Sequence, residues 1–306
     1  KLFHIGHLMS NTIGEAIARL YEASGAKVLR ANYQGDVGLH VAKAVWGMLN
    51  MEYGIWNMEY IGEAYAKGAK AYEKDERSKK EIEEINAKIY GRSDDRINKI
   101  YDFGRKLSLD YFETIYEKLG TKFDRYFFES EAASDGLSIV EKYPDVFIES
   151  EGAIVFRGEE HGLHTRVFVS SKGLPTYEAK ELGVNKKKFE KDNLDLSIIV
   201  TGNEINEYFK VLLKVMELVM PEVSAKTKHV SHGMLRLPTG KMSSRMGDVI
   251  TAESLIDQIK NKLPDADSVS NDKIAMGAIK YSILKQSLGH DIVFDFEKSL
   301  SVKGDS

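Results

Sequence analysis

Two stretches in which helical and strand-like patterns alternate, one near each end of the chain, constrain the fold more than any other feature. In the first stretch, residues 27–33 form a short strand-like run with helical periodicity on both sides, and Gly25 is placed to end the first helix. The residues at helical spacing are Leu8, Ile13, Ala16, Ile17, Leu20 and Tyr21 before this run, and Val41, Val45 and Met48 after it. Helix and strand in alternation predict a parallel sheet with covering helices.

The same alternation returns in the last third of the chain. The predicted elements are a helix over 176–191, a strand over 196–200, a helix over 204–219 and a strand near 229–237. Beyond a loop at 238–248, two more helices are predicted over 252–263 and 273–288, and Thr251 is a good N-cap for the first of them. A helical region therefore follows the second alternating stretch.

The middle of the chain has a different character. From about Glu63, charged helical segments carry a narrow apolar stripe, and short strand-like runs follow at 125–128, 153–156 and 166–169. We therefore predict an α/β, Rossmann-like parallel-sheet nucleotide-binding fold that is interrupted by an α+β insertion and followed by a helical stem region. The predicted divisions are 1–62 for the first half of the Rossmann-like domain, 63–164 for the insertion, 165–250 for the second half and 251–306 for the stem.

Composition excludes several classes of protein. The 306-residue chain contains no cysteine, which excludes disulfides, thiolate metal sites and thiol nucleophiles. Hydrophobic residues make up 42% of the chain and charged residues 29%, a balance typical of folded soluble proteins. No apolar run approaches the roughly 18 residues that a membrane helix needs. The formal net charge of −4 gives no overall attraction to nucleic acid, although a local basic face could still bind phosphate.

The segment His4-Ile5-Gly6-His7 stands at the predicted start of the first helix. Free backbone N–H groups and the positive end of the helix dipole favour phosphate there. Two imidazoles three residues apart can face the same way and donate to a phosphoryl group, while Gly6 leaves space for a base or ribose against the backbone. The pattern suits nucleotidyl transfer, but alone it is equally consistent with a pair of helix-cap histidines.

A second motif, Lys241-Met242-Ser243-Ser244-Arg245, follows the last predicted strand and has glycines on both sides. Such glycines permit a loop that swings, and a lysine with two hydroxyl groups can bind the β- and γ-phosphates as pyrophosphate leaves. In isolation the segment would be interpreted as a solvated basic loop. Its order along the chain, after the histidine motif and at the close of the second alternating stretch, favours one shared nucleotide site.

Together the two motifs resemble those of class I aminoacyl-tRNA synthetases, which have H-x-G-H near the start of a nucleotide-binding fold and K-M-S-S-R after its last strand. Neighbouring residues narrow the resemblance to arginyl-tRNA synthetases. Residues 32–38, NYQGDVG, are similar to that family's N-x-x-G-D-x-G, and residues 176–181, TYEAKE, to its T-Y-x-x-[RK]-[DE]. Residues 291–296 and 300–305 resemble the end of the family's stem region.

The resemblance implies that the chain activates arginine with ATP and ligates it to tRNA(Arg). His4 and His7 would stabilise the α-phosphate as the arginine carboxylate attacks ATP, and Gly6 would pack against the nucleotide. Lys1 matches a family lysine that contacts the phosphates. The residues that would hold the leaving pyrophosphate are Lys241, Ser243, Ser244 and Arg245. Mg²⁺ is expected with ATP, held largely by phosphate oxygens, and the sequence contains no visible dedicated metal site.

For the amino acid, Glu181 is the candidate partner of the arginine guanidinium, because a carboxylate meets a planar five-donor fork two hydrogen bonds at a time. Tyr177 lies one helical turn earlier and would reach the same pocket. Without the resemblance, Glu181 and Lys180 would be interpreted as exposed helix charges. Asn32 and Asp36 would line the amino-acid or ribose end of the site, or would simply shape the turn.

The chain departs from the family pattern in three respects. The strand and turn that precede the first histidine in the family have no counterpart in the sequence, and the glutamine that usually follows the third strand is replaced near 203–205. The family's N-terminal and anticodon-binding domains are also missing. We therefore expect a catalytic-core fragment that does not charge tRNA by itself.

Several alternatives stay open. A related ATP-using adenylyltransferase would share the histidine pair but generally lacks the K-M-S-S-R loop and the insertion. Another class I synthetase is a second alternative, although the absence of cysteine argues against those with thiolate-bound zinc. A non-catalytic binding module is a third, which the intact His4, His7 and Lys241 disfavour. We expect a cytoplasmic monomer whose partners are arginine, ATP and tRNA(Arg), with no attachment to a membrane.

Overall fold

The computed structural model describes residues 2–52, 56–236, 251–263 and 268–293, with the side chains of 268–270 excepted. The contacts between residues divide the chain into two compact units. Unit 1 contains residues 1–30, 38–122 and 232–306, and unit 2 contains residues 31–37 and 123–231. Each unit is therefore assembled from segments that are far apart in sequence.

Helices dominate the described residues. In chain order they are α1 (Ile5–Ala23), α2 (Leu39–Leu49), α3 (Met58–Lys74), α4 (Glu76–Gly91), α5 (Asp95–Leu119), α6 (Glu129–Lys142), α7 (Tyr177–Lys191), α8 (Asn206–Val219), α9 (Pro221–Ala225), α10 (Ala252–Lys260) and α11 (Ser268–Leu284). The strands are β1 (Ala31–Gln34), β2 (Arg125–Phe128), β3 (Ile148–Ser150), β4 (Ala153–Phe156), β5 (Arg166–Val169), β6 (Ser197–Gly202), β7 (Thr227–His232), β8 (Leu235–Arg236) and β9 (Ile292–Val293). Short 3₁₀ turns occupy Gly158–His161 and Asn203–Ile205.

Several helices of unit 1 begin at polar caps. Asp94 starts α5 by accepting the backbone N–H groups of Arg96 and Ile97, each at 3.1 Å. Thr251 starts α10 in the same manner, since its side chain accepts the N–H of Ser254 at 3.0 Å. These side chains satisfy backbone donors that the first turn of a helix leaves free, which is worth about 1 kcal/mol for each cap. Local sequence therefore sets where these helices begin.

Unit 2 combines three small sheets with the helices α6 to α9. β1 pairs with β2 in parallel, β3, β4 and β5 form an antiparallel sheet, and β6 neighbours β7. The main core lies among these sheets and helices, and its fully buried members include Phe168, Phe209, Leu212 and Met216. Burying such a side chain stabilises the folded state by roughly 1.5–3 kcal/mol relative to leaving it exposed.

Most of the elements predicted from sequence are confirmed. The strands over 125–128, 153–156 and 166–169 have the predicted bounds, and Thr251 is the N-cap of α10 as expected. Several elements differ in their bounds. The strand predicted over 27–33 occupies 31–34, α10 ends at Lys260 rather than near 263, α11 spans 268–284 rather than 273–288, and the strand predicted near 229–237 is divided into β7 and β8. The helix α1 ends at Ala23, shortly before Gly25 adopts a positive φ of 90°.

The sheet organisation is more divided than the alternating pattern predicts. The described strands form separate sheets of two or three strands, and parallel pairing occurs between β1 and β2 and between β8 and β9. The α/β class with parallel strands is thus present without one continuous sheet among the described residues. No helix within the described ranges combines the length and apolar character required to cross a membrane. The division at residues 62, 164 and 250 stays a prediction.

Candidate functional site

The first helix begins at two interlocked histidines. His4 is the N-cap of α1, and its Nδ1 accepts the backbone N–H of Gly6 at 3.1 Å. In return, Nδ1 of His7 accepts the backbone N–H of His4 at 3.2 Å. Because both Nδ1 atoms accept, each neutral ring carries its hydrogen on Nε2, from which it can be donated. We call His4, Gly6 and His7 the histidine site.

Packing holds the two imidazoles of the histidine site in one arrangement. The rings stack with their centroids 3.7 Å apart. A Cβ added to Gly6 would lie 2.9 Å from Cε1 of His4, so the ring position requires glycine here. Behind the pair, the ring of buried Phe3 lies 5.2 Å from that of His7 and 5.7 Å from that of Phe112. Both donors are therefore supported by an aromatic cluster of unit 1.

The polypeptide after the predicted pyrophosphate loop returns to the histidine site. Thr251 forms an antiparallel β-bridge with His4, and the backbone N–H of Ala252 donates to the carbonyl oxygen of Phe3 at 2.9 Å. The predicted motif ends at Arg245, a few residues earlier in the chain. One end of the segment that carries the second motif is thus bonded to the residue that opens the first.

The polypeptide before this loop is also held within unit 1. β8 pairs with β9, and Arg236 of β8 forms an ion pair with Asp291 beside β9. At the end of β7, the buried His232 has its Nε2 2.8 Å from Oγ of Ser10 in α1 and its Nδ1 2.7 Å from the carbonyl oxygen of Gly233. A carbonyl can only accept, so His232 donates from Nδ1 and accepts at Nε2 from the serine hydroxyl.

Five of the residues predicted for the nucleotide site have no described position. Lys1 and the loop residues Lys241, Ser243, Ser244 and Arg245 lie outside the described residues. Their roles stay predictions. The described residues on the two sides of the loop, at 236 and 251, both belong to unit 1, as does the histidine site.

In unit 2, helices α6 and α7 pack backbone against backbone. A Cβ added to Gly136 would lie 2.1 Å from the carbonyl oxygen of Ala179, and one added to Gly183 would lie 2.2 Å from a carbonyl oxygen of α6. This approach brings Lys180 of α7 against Glu129 of α6 in an ion pair whose members are only 5% and 4% exposed. Burial raises the pKa of Glu129, while the charge of Lys180 opposes that rise.

Glu181 follows in the same helix and is 2% exposed. The interpretation of Glu181 and Lys180 as exposed helix charges is therefore wrong. Burial is the largest influence on the Glu181 carboxyl and raises its pKa above the ordinary value of 4.5. Its Oε1 accepts from Nδ2 of Asn185 at 3.3 Å, whereas its Oε2 has no hydrogen-bond partner among the described residues.

Three tyrosines surround this carboxylate. The Tyr177 ring lies 6.1 Å from the Tyr33 ring and 5.0 Å from the Tyr208 ring. Burial is the largest cause that raises the pKa of the three hydroxyls, and the charge of Glu181 is the second. The hydroxyls of Tyr33 and Tyr208 are buried and, within the described part of the chain, unpartnered. We call the group Glu129, Glu181, Tyr33, Tyr177 and Tyr208 the carboxylate cluster.

The carboxylate cluster has the chemistry of a cation site. Buried polar atoms are nearly always hydrogen-bonded in folded proteins, so an unpartnered carboxylate oxygen beside two unpartnered hydroxyls indicates a donor-rich ligand. Aromatic faces attract cations as well. A planar cation with several N–H groups would satisfy these acceptors while its charge offsets that of Glu181.

The two other predicted substrate residues lie in the β1 strand and the turn after it. Asn32 is half-buried in β1, in register with Tyr126 of β2. Asp36 is 8% exposed and accepts from Ser130 twice, from the backbone N–H at 2.9 Å and from the hydroxyl at 2.7 Å. Ser130 stands in the first turn of α6, so the Asp36 carboxylate satisfies a free helix donor and complements the helix dipole.

Other histidines of unit 2 pack against aromatic rings. His161 stacks on Phe156 with centroids 5.4 Å apart, and His229 stacks on Phe209 at 3.8 Å. Nε2 of His229 also lies 2.7 Å from the Thr201 hydroxyl, and burial lowers the pKa of this imidazole. The described residues contain no group of three or more histidine, aspartate or glutamate side chains that could hold a metal ion.

Sequence analysis missed several members and neighbours of the carboxylate cluster. Tyr33 stands inside the N-x-x-G-D-x-G stretch, which was the only signal that pointed to it. Tyr208, Asn185 and Glu129 carry no local signal, because their importance depends on contacts across the fold. Glu129, for example, lies 51 positions from its partner Lys180.

Comparison with known proteins identifies the family. The family model of class I (R) tRNA synthetases, catalytic domain, matches residues 1–296. The chain belongs to this family. Curated relatives of this synthetase chain include the arginine–tRNA ligases of Borreliella burgdorferi and Clostridium acetobutylicum, each 29% identical to it. Both alignments cover 100% of the chain and 57% of the relative, so the chain spans little more than half the length of these relatives.

Solved structures establish the fold of the synthetase chain. The arginyl-tRNA synthetase of Plasmodium falciparum aligns with a TM-score of 0.77 at 20% identity, covering 99% of the chain and 53% of that structure. The arginyl-tRNA synthetase of Thermus thermophilus aligns with a TM-score of 0.74 at 21% identity, covering 99% and 59%. The expected class I synthetase fold is thereby confirmed, as is the resemblance on which it rested.

Proposed function

We propose that this chain carries the catalytic domain of an arginine–tRNA ligase, which activates arginine with ATP and transfers it to tRNA(Arg). The single observation that carries the assignment is Glu181. It is a buried carboxylate with one unpartnered oxygen, surrounded by tyrosines, in a chain of the class I (R) synthetase family. Arginine has the one common side chain that is a permanent, planar cation with five N–H donors.

In the first half of the reaction, a carboxylate oxygen of arginine attacks the α-phosphorus of ATP and pyrophosphate leaves. The Nε2–H groups of His4 and His7 would donate to the α-phosphate oxygens as negative charge develops there. Their orientation is fixed before substrate binds, because each Nδ1 is committed to a backbone N–H. Lys241, Ser243, Ser244 and Arg245 would bind the departing pyrophosphate, and Lys1 would contact the phosphates.

On the amino-acid side, Glu181 would accept N–H groups of the guanidinium, and Tyr177 would lie beside it. The glutamine that the family usually supplies is replaced near Ile205, which packs against the apolar core instead. Tyr208 follows within one helical turn, and its buried hydroxyl is a polar group that this region would offer to the substrate. Asn32 would contact the amino-acid end directly, whereas Asp36 would act through the start of α6.

In the second half, a ribose hydroxyl of the tRNA 3′ end attacks the arginyl carbonyl carbon and AMP leaves. Mg²⁺ would enter with ATP, bound mainly by phosphate oxygens, and would screen their charge. We also propose that the protein acts in the cytoplasm as a monomer. Light scattering on the purified protein tests the monomer, and fractionation of the source cells tests the compartment.

Pyrophosphate exchange tests the assignment. The protein expressed from its complete gene is assayed with ATP, tRNA present, and each amino acid in turn. We expect exchange with arginine and none above background with the other amino acids, because only a guanidinium satisfies the carboxylate cluster. Exchange with another amino acid would contradict the substrate, and no exchange with any would favour a non-catalytic binding module.

A further inference from the structure

An asparagine on α7 connects the carboxylate of Glu181 to a lysine. Glu181, Asn185 and Lys188 lie at positions i, i+4 and i+7, which places them on one helix face. Asn185 is 0% exposed. Its Nδ2 donates to the backbone carbonyl of Glu181 at 2.9 Å and to Glu181 Oε1 at 3.3 Å, and its Oδ1 lies 3.4 Å from Nζ of Lys188. Both ends of the buried amide are therefore in use.

This arrangement distinguishes the two oxygens of Glu181. A buried amide is costly unless it is hydrogen-bonded, so its position here is strongly constrained. The terminal torsion of a glutamate side chain is otherwise broad, and a carboxylate could rotate to present either oxygen. With Oε1 bonded to Asn185, the oxygen without a partner among the described residues is Oε2. Asn185 thus fixes the orientation of the carboxylate, with one oxygen bonded to the amide and the other left for a ligand.

We propose that Asn185 is a positioning residue that determines specificity for a cationic guanidinium over a neutral group of the same shape. The inference rests on the proposed function, since it concerns the same arginine site. An N–H donor directed at a carboxylate favours its ionised form. An ionised Glu181 only accepts, which matches a guanidinium, whereas a protonated one also donates and would tolerate the urea oxygen of citrulline.

Several other groups act on the Glu181 carboxyl, and of these Lys188 also contacts Asn185. The charge of Lys188 favours ionisation of Glu181, while burial and the charge of Glu129 oppose it. The tyrosines of the carboxylate cluster have a raised pKa and stay protonated, and Lys180 is paired with Glu129. Substitution of Asn185 removes the donor to Glu181 and the acceptor of Lys188, and both losses shift the balance toward protonated Glu181.

The experiment measures arginine and citrulline binding by titration calorimetry over a range of pH, using the protein expressed from its complete gene. Asn185→Leu removes the donor at similar size, and Asn185→Ala removes it with a smaller side chain. Asn86→Leu and Asn86→Ala are the matched controls, because Asn86 is a buried asparagine of α4 outside the carboxylate cluster. Circular dichroism identifies which variants are folded.

For folded Asn185 variants we expect arginine to bind roughly tenfold to a hundredfold more weakly, the loss typical of a hydrogen bond to a charged group. The ratio of arginine to citrulline affinity should fall, and the pH below which arginine binding is lost should rise. The Asn86 variants should keep both properties of the natural protein. A residue needed only for folding would change neither the ratio nor the pH dependence.

Asn185 variants that retain the affinity ratio and the pH dependence would overturn the positioning role while leaving the proposed function intact, provided that the natural protein binds arginine. If the natural protein binds no arginine, both proposals are wrong. If both Asn185 variants are unfolded, a purely structural role is the result, and the positioning role is rejected.

Discussion

At position 6, any side chain would compete for space with the imidazole of His4. The imidazole of His4 folds back over Gly6 so closely that any Cβ there would contact the ring at 2.9 Å. Position 14 of the same helix differs, because a Cβ added to Gly14 meets nothing within 4 Å. The two glycines of α1 therefore provide a matched pair.

We predict that Gly6→Ala displaces the His4 ring and lowers the rate of ATP-dependent arginine activation by roughly a hundredfold, the cost typical of a small misplacement of a catalytic group. Gly14→Ala should leave the rate unchanged and stabilise α1 by about 1 kcal/mol, since alanine favours helix. Pyrophosphate exchange and thermal unfolding of the two variants check this. Equal rates for both would mean that the stacked position of His4 is not needed.

Glu181 illustrates how a residue that is proposed to bind substrate can destabilise the fold. Burial raises its pKa above 4.5, so at pH values between 4.5 and the raised pKa the folded protein holds a proton that the unfolded chain has released. Folding stability then falls as pH rises through that window, and the full cost is present above it. A neutral side chain of the same shape avoids this cost.

We therefore predict that Glu181→Gln unfolds at a temperature a few degrees higher than the natural protein at pH 8, with the difference shrinking toward pH 4.5. The variant should also bind arginine much more weakly, because an amide also presents donors to the guanidinium. Glu131→Gln, which changes an exposed glutamate of α6, is the control and should show neither effect. A pH-independent difference would contradict the assigned cause.

At the scale of elements, the start of α6 connects a turn to the carboxylate cluster. Asp36 caps the first turn of α6 through Ser130, and the neighbouring Glu129 bears the ion pair with Lys180. A local carboxylate–serine cap exists in unit 1, where Asp75 accepts the backbone N–H of Ser78 at 2.8 Å and its hydroxyl at 2.5 Å, both with Oδ2. Aspartate–serine pairs thus occur at helix starts both with and without the carboxylate cluster nearby.

We predict that Asp36→Ala and Asp75→Ala each destabilise the protein by about 1–2 kcal/mol, the usual cost of losing a helix cap. Only Asp36→Ala should also weaken arginine binding, because the first turn of α6 positions Glu129. Chemical denaturation and arginine titration separate the two effects. Comparable arginine affinity in the two variants would show that loss of the Asp36 cap at the start of α6 does not affect the carboxylate cluster.

Helices and short strands could largely be predicted, because their signals are local. Thr251 and the spacing of the apolar residues that follow it predict the start of α10. The runs at 125–128 and 153–156 are strands with the predicted bounds. The first predicted strand was too long because β1 pairs with β2 only from Ala31 onward, and this long-range pairing is not visible in local periodicity.

The candidate site was predictable in part, for the same reason. The histidine site is one contiguous segment, so the sequence alone already places its members together. The carboxylate cluster instead requires α6 and α7 to approach at Gly136 and Gly183, which no local pattern indicates. Sequence therefore pointed to Glu181 but not to Glu129, its neighbour across that contact.

At the scale of the whole molecule, the two units divide the proposed chemistry. Unit 1 contains the histidine site and the described residues on both sides of the predicted pyrophosphate loop, whereas unit 2 contains the carboxylate cluster. The alternating pattern correctly predicted an α/β protein with parallel strands. It did not predict which segments join in each unit, because contacts between distant segments decide this.

The reciprocal hydrogen bonds between backbone N–H groups and the two Nδ1 atoms at the start of α1 restrict protonation of the imidazoles of His4 and His7. A hydrogen on Nδ1 of either ring would face a backbone N–H and break one bond of the cap. Neither ring can therefore take up a proton during turnover without loosening the first turn of the helix. The cap therefore disfavours a shuttle between imidazole and imidazolium. In the proposed reaction the two rings would instead serve as fixed Nε2–H donors, and this role would depend on an intact first turn of α1.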